Sequence, residues 1–355
     1  MKKTIKFCFY IIIAFLTISC NNELDVDGEY EDITVVYSII EPGNQRQFVK
    51  INRTFLSKES ALVVAQIPDS STYNYKLNVT IQEFNSNNQP VNIYHLDTIT
   101  VPKDDGIFYG GSQVLYYFDK QQPARIDKYG ITFTYRDTIW IDTDNSLKLI
   151  IQNPKTGKIA EASTNLVPNF TISKPSISSF MSFIGTGPIN VEMKSAPHGK
   201  RYEVMIRFFY REVDINNITD TVSDYIDWKL GIVKSTGISG GENLLISYIP
   251  YTLYSRIAQK IPIDDNKKRF HGIFTEDGRI DVQLIVKVGA DELSTYIDVH
   301  GPSGSIIQER PQYTNISNGI GIFSSKRTIV RNYFLNIYSV DALKNSIYTK
   351  DLNFQ

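Results

Sequence analysis

Hydrophobic and polar positions alternate with a period of two through most of the chain, the mark of half-buried strands. Ile33–Ile40 (ITVVYSII) is β-branched and aromatic, Glu41-Pro-Gly-Asn44 carries Pro and Gly at the centre of a turn, and Gln47–Phe55 resumes with Val49, Ile51 and Phe55 on one face against Lys50 and Asn52 on the other. Similar stretches run over Lys76–Glu83, Val91–Val101, Ser112–Phe118 and Ile131–Ile141. Leu147–Gln152 and Lys158–Leu166 flank Asn153-Pro-Lys-Thr-Gly157, a well-marked hairpin turn. Ser57–Gln66 reads as one short helix, with Ser57 as N-cap and Pro68 ending it. The pattern predicts a mainly β protein. An N-terminal immunoglobulin-like β-sandwich is expected over residues 33–166, then a second β-rich domain over 189–355 with one or two short helices. Residues 167–188 mix Pro, Ser, Thr and Gly and are expected to form the linker.

In the second half, Lys200–Asp214 reads as a long strand, with Val204, Ile206, Phe208 and Tyr210 on an apolar face and Met205, Arg207, Phe209 and Arg211 on an amphipathic one. Asp224–Lys234 forms a further strand around Trp228. Pro250 suits a first helical position, and Leu253, Ile257 and Ile261 recur at helical spacing behind it. Gly278–Val288 returns to strand and Asp291–Val299 to helix. Thr328–Val340 reads as a last strand and Asp341–Ser346 as a final helical turn.

The first twenty residues follow another rule. Lys2, Lys3 and Lys6 precede an apolar run, Phe7–Ile18, then Ser19 and Cys20. The run is too short to span a hydrocarbon core of roughly 30 Å as a helix, so residues 1–19 read as a secretory signal. The segment resembles the lipobox of bacterial lipoproteins, with Thr17 three residues before the cysteine and Leu16 one step earlier. That resemblance implies cleavage before Cys20, acylation of its thiol and anchorage in the outer membrane, on the cell surface or the periplasmic face. An ordinary cleaved signal with an incidental cysteine is the plainer alternative. Residues 20–32 are acidic and lack apolar periodicity, which makes them a flexible tether. Their acids also resemble the surface-export signals of Bacteroidota lipoproteins, and both readings stay open.

Composition narrows the rest. Cys8 leaves with the signal, so an acylated Cys20 leaves no thiol for a disulfide, and the fold must rest on its core. Cleavage removes three lysines and no acid, moving the formal charge from −1 to −4. That balance argues against nucleic acid as a partner. None of the four histidines (His95, His198, His271, His300) stands in a zinc-binding spacing. Asp142-Thr-Asp144-Asn-Ser146 opens like a calcium loop, but Leu147 holds the glycine position and Asn153 the terminal acid's. Asp264-Asp265 and Asp291-Glu292 are adjacent pairs, poorly placed for joint acid–base work on a strand. No nucleophile elbow is present, and Gly319-x-Gly321 lacks the third glycine of a phosphate loop, so both read as turn glycines. No catalytic residue, metal or cofactor is expected. Tyr116 and Tyr117 are consecutive, so one of them must face outward from a strand. Thr98, Thr138 and Thr221 lie in Asp-Thr-aliphatic triplets that resemble the O-glycosylation acceptor of Bacteroidota.

Pro311–Arg327 (PQYTNISNGIGIFSSKR) reads as a loop re-entering the core at Ile320, Ile322 and Phe323. Its Asn315, Gly319, Gly321 and Phe323 resemble a C-terminal motif of an all-β family of Bacteroidota outer-membrane lipoproteins, a domain of unknown function often encoded beside TonB-dependent receptors. The early hairpin and Thr156–Thr164 (TGKIAEAST) fit the same family. The resemblance implies a non-enzymatic accessory of an outer-membrane uptake system, partnered by such a receptor. The alternative is a surface glycan- or peptide-processing hydrolase with residues scattered over loops, since sandwiches host both.

Overall fold

The computed structural model describes residues 32–55, 60–104, 106, 108–120, 125–126, 132–133, 141–176, 179–276, 278–301 and 312–355. The signal, Cys20, nearly all of the tether, Thr138 and most of the strand expected at Ile131–Ile141 lie outside them. In chain order the first half comprises β1 (Thr34–Ile40), β2 (Arg46–Arg53), helical turns α1 (Ala61–Val64) and α2 (Pro68–Ser71), β3 (Asn78–Phe84), β4 (Pro90–His95), β5 (Asp97–Lys103), β6 (Gly111–Asp119), the short β7 (Arg125–Ile126) and β8 (Thr132–Phe133), β9 (Ser146–Gln152) and β10 (Ile159–Asn165). The second half comprises β11 (Ile172–Lys174), β12 (Phe180–Met181), β13 (Ile189–Lys194), β14 (Gly199–Asp214), β15 (Asn217–Lys234), β16 (Asn243–Tyr248), α3 (Thr252–Lys260), β17 (Lys267–His271), β18 (Ile273–Thr275), β19 (Gly278–Ile280), β20 (Val282–Ala290), α4 (Asp291–His300), β21 (Gly319–Leu335) and α5 (Ile337–Asn345).

The two hairpins expected from turn chemistry form as local physics dictates. Asn44 N–H bonds Glu41 O at 2.8 Å, and the Gln47 amide closes the turn by reaching the backbone of both residues. Gly157 takes a left-handed φ of 73° and Asn153 Oδ1 accepts from Lys155 N–H. Between β3 and β4 the turn is carried by Asn88, at φ 57°.

Two cores divide the molecule. In the first, β1, β2 and β6 face β3, β9 and β10 across Val36, Val49, Ile81, Leu149 and Phe118, a sandwich closed by Leu166. In the second, β14 and β20 pack against β13 and β16 through Ile206, Phe208, Val286, Met193 and Ile246, with α3 laying Leu253 and Ile257 on them. The change of core falls between Leu166 and Val167. The stretch 167–188, expected as a linker, instead contributes to the second core through its described residues Val167, Ile172, Met181 and Phe183, all buried there.

One sheet joins both cores, in the order β15-β14-β20-β21-β1-β2-β6-β5. Its seam is the parallel pairing of β1 with β21, in register from Thr34–Gly319 to Ile40–Ser325. Phe323 of β21, with Ile316 just before the strand, fills the first core, while Tyr333 and Leu335 of β21 fill the second.

Several boundaries differ from expectation for identifiable reasons. Of the helix expected at 57–66, Ala61–Val64 is helical and Ser57 lies outside the described residues, and Pro68 opens a second turn at its first position rather than ending the first. Helix α3 begins at Thr252, past Pro250. The last strand stops at Leu335 because the Asn336 side chain accepts from Ser339 N–H at 2.9 Å and caps α5. Gly319 and Gly321 lie inside β21, not in a turn.

Candidate functional site

The outer face of β1, β2, β5 and β6 points away from the first core. The chain from Pro68 to Lys76 folds over it, tied down where Asn52 Nδ2 donates to Ser71 O at 2.9 Å. Tyr109 N–H bonds Ala65 O at 2.9 Å and closes another side. The resulting pocket, open on one side, has a volume of about 930 Å³, within the range of small-molecule sites. Strand register explains its composition. With Val36, Val49 and Ile51 turned to the core, the alternate residues Tyr37, Lys50 and Asn52 must line the other face.

The lining is aromatic and basic. Tyr37, Phe108 and Tyr109 are 45%, 48% and 41% exposed and present ring surface to the cavity. Tyr73 and Tyr75 meet edge to face with centroids 5.6 Å apart. Burial pushes the Tyr73 hydroxyl up to about 12, against a bond with Thr34, so this ring stays neutral at physiological pH. Lys50, Arg53, Lys76 and Lys103 supply four cations, and among the described residues no carboxylate lines the pocket. Lys76 pairs with Asp97 at 2.7 Å. Among the described residues Lys103 Nζ donates to the Tyr109 carbonyl at 2.7 Å, and Arg53 Nη2 to the Asp69 carbonyl at 2.7 Å. Arg53 Nε is buried with no hydrogen-bond partner among the described residues. The Lys50 ammonium is held below the ordinary lysine range by burial first and then by the charge of Lys103. Among the described residues, three cations thus line the pocket with only neutral groups to answer them, an arrangement suited to an anionic guest.

Sequence patterns pointed elsewhere. Asn315, Gly319, Gly321 and Phe323 come together, but as the seam between cores rather than a ligand site. Asn315 mimics a neighbouring strand: its Oδ1 accepts from Phe323 N–H at 3.0 Å and its Nδ2 donates to Phe323 O at 2.6 Å. Phe323 is fully buried in the first core. Thr98 is half-buried on β5 at the pocket wall, and Thr221 is exposed on β15. Tyr116 is the inward member of its pair, bonding Leu77 N–H, whereas Tyr117 lies under Arg46 at 4.5 Å. The Asp142–Ser146 segment is a turn whose Asn145 donates to Glu83 at 2.7 Å. Burial pushes the Glu83 carboxyl up, but hydrogen bonds from Tyr94, Asn145 and Asn92 outweigh it and leave it below the usual range. Among the described residues no group of three or more His, Cys, Asp or Glu could hold a metal.

Two further carboxylates differ in character. Glu292, on α4, is pushed up by burial and bonds Ser324 Oγ at 3.1 Å beside a hollow of about 450 Å³. It is the one carboxylate among the described residues lining that hollow. Asp281 is fully buried, gripped by Arg279 at 2.8 and 3.0 Å, by His271 Nδ1 at 3.2 Å and by Leu335 N–H at 2.9 Å. Burial alone would push its carboxyl up, yet these donors hold it at about 2. Because the folded value lies below the ordinary one, the stabilisation is complete above about pH 4 and is lost as pH falls toward 2. It amounts to roughly 2.5 kcal/mol. Urea unfolding of the wild type and Asp281→Asn between pH 7 and 2 is expected to show that loss in the wild type and a flatter profile in the variant.

Lining residues such as Lys50 and Lys103 carried no motif, because four separated segments assemble the pocket. The available signal was the bare Lys50 and Asn52 opposite the apolar face of the early hairpin. Comparison with known proteins adds no relative: no family model and no curated protein matches the chain.

Proposed function

We propose that this chain is a lipid-anchored outer-membrane lipoprotein that acts without catalysis, as an accessory binding component of a TonB-dependent nutrient-uptake system. The observation that carries the binding role is the 930 Å³ pocket, with exposed rings and cations that have no carboxylate partner among the described residues. Such a site pays desolvation and charge repulsion in the empty state and regains both when a solute enters. The signal, the lipobox-like Cys20 and the resemblance of the Asn315–Phe323 segment support the location and the partner. The hydrolase reading draws on Glu292, whose carboxyl is raised as a general acid's would be. Among the described residues no second carboxylate lines its hollow, although glycoside hydrolysis ordinarily needs a facing pair.

Affinity purification of a C-terminally tagged chain from detergent-solubilised outer membrane is expected to recover a stoichiometric TonB-dependent receptor. Cys20→Ala is expected to release the chain into the soluble fraction. Recovery of the chain alone, under conditions that preserve comparable complexes, would count against the accessory role and turn attention to Glu292.

A further inference from the structure

The chemistry of the pocket goes further than its existence. Lys50 and Lys103 rise from different strands, β2 and β5, and their charges repel across the cavity. A fold that only needed a solvated surface would leave both to water or give them acids. Here, among the described residues, Lys103 donates to one carbonyl and none hydrogen-bonds Lys50. Arg53 adds a third positive group, its guanidinium 5.9 Å from the Tyr73 ring centre and its Nε unanswered. The half-exposed rings of Tyr37, Phe108 and Tyr109 border the same space. The lining also includes neutral hydrogen-bonding side chains, Asn74, Gln113 and Ser112. Cations for an acid group, flat rings for a pyranose face and amides and hydroxyls for its hydroxyls are three parts of one recognition scheme.

We propose that the pocket binds an acidic sugar, its carboxylate or sulfate held between Lys50 and Lys103 and its rings stacked on the tyrosines. This rests on the binding-component reading only in taking the pocket as a solute site. Lys50 is the positioning cation: it stands in register with Tyr37 on β1, so the anion and the stacked ring would share adjacent strands.

The test uses the full chain in non-ionic detergent and titration calorimetry with uronate, sialylated and sulfated oligosaccharides, their neutral counterparts and inorganic sulfate. At least one acidic member is expected to bind tenfold or more tightly than its neutral counterpart, and to weaken with added salt. Lys50→Gln is expected to lose that binding tenfold or more, while Lys50→Arg keeps most of it. Lys50→Gln should keep the wild-type melting temperature or gain slightly, because it removes a repulsion, and Lys50→Arg should keep it. Amine labelling followed by mass spectrometry should find Lys50 more reactive than surface lysines and shielded by the acidic sugar.

Equal binding of neutral and acidic sugars overturns the anion site. Inorganic sulfate competing as well as any sugar overturns the stacked ring. No binding by any acidic member of the panel overturns the proposal as a whole. Receptor co-purification with Lys50→Gln separates the two readings. A receptor recovered without acidic-sugar binding sinks only the ligand, and acidic-sugar binding without a receptor sinks only the accessory role.

Discussion

Gly321→Ala is expected to destabilise the protein by on the order of 4 kcal/mol, a large share of the stability of an ordinary domain. Gly321 sits at φ 115°, a left-handed conformation that a side chain resists. A Cβ there would overlap the carbonyl oxygen of Val36, its direct partner across the parallel seam. The two costs, conformational strain and overpacking against backbone, fall on one atom, and neither can be relieved by a rotamer change. Gly319 is tight for a related reason, since a Cβ would stand 2.8 Å from Thr34 O and from the Ile316 side chain. Thermal unfolding of Gly321→Ala should show a markedly lowered transition, with loss of protection in β1 and β21 by hydrogen exchange. Gly237→Ala is the control, because open space surrounds that position and its φ is ordinary. A Gly321→Ala variant as stable as the control would mean that β1 and β21 do not approach in this register.

Arg269→Met is expected to cost about 3–5 kcal/mol, because it strands partners that only a buried guanidinium satisfies. Arg269 on β17 is 1% exposed. Its Nε donates to Glu212 at 2.6 Å, Nη1 to Leu352 O at 2.8 Å and Nη2 to Pro262 O at 2.9 Å. Its backbone joins the same assembly, accepting from Gln355 N–H and donating to Asn353 O, while Phe354 reaches Phe208 in the second core. The guanidinium therefore clamps three chain segments. A double-mutant cycle with Phe354→Ala should be less than additive, since either change frees residues 353–355. Full additivity in urea unfolding would show that the clamp and the docked aromatic act independently.

Locally coded structure was largely readable. The hairpin turns at 41–44 and 153–157 depend on Pro, Gly and Asn acting within four or five residues, and they form where those residues stand. The apolar face of β14 was visible from alternation, and Val204, Ile206 and Phe208 are completely buried. Alternation failed where two faces of a strand are both covered. Met205 and Phe209, on the face read as amphipathic, are buried as well: Phe209 meets Tyr225 of β15 edge to face, and α4 and β18 also contact β14. Amphipathic character also misplaced the end of β21, where the Asn336 cap outweighs the strand-like run that follows it.

The Gly-x-Gly of β21 shows the limit in another way. Glycine is required both where a chain turns and where two backbones nearly touch, so composition alone could not separate the two. Only the parallel neighbour β1, contributed from far away in the chain, shows that this glycine pair serves close approach. The pocket obeys the same rule. Residues 35–37, 50–55, 68–76 and 98–116 each read as ordinary strand or turn, and their lysines and tyrosines have no spacing in common. Short-range patterning was enough to set the β character, the hairpins and the faces of the strands, since those depend on near neighbours and a period of two. The joining of two cores through one sheet, and the gathering of cations beside exposed rings, depend on contacts between distant segments, and folding alone brought them together.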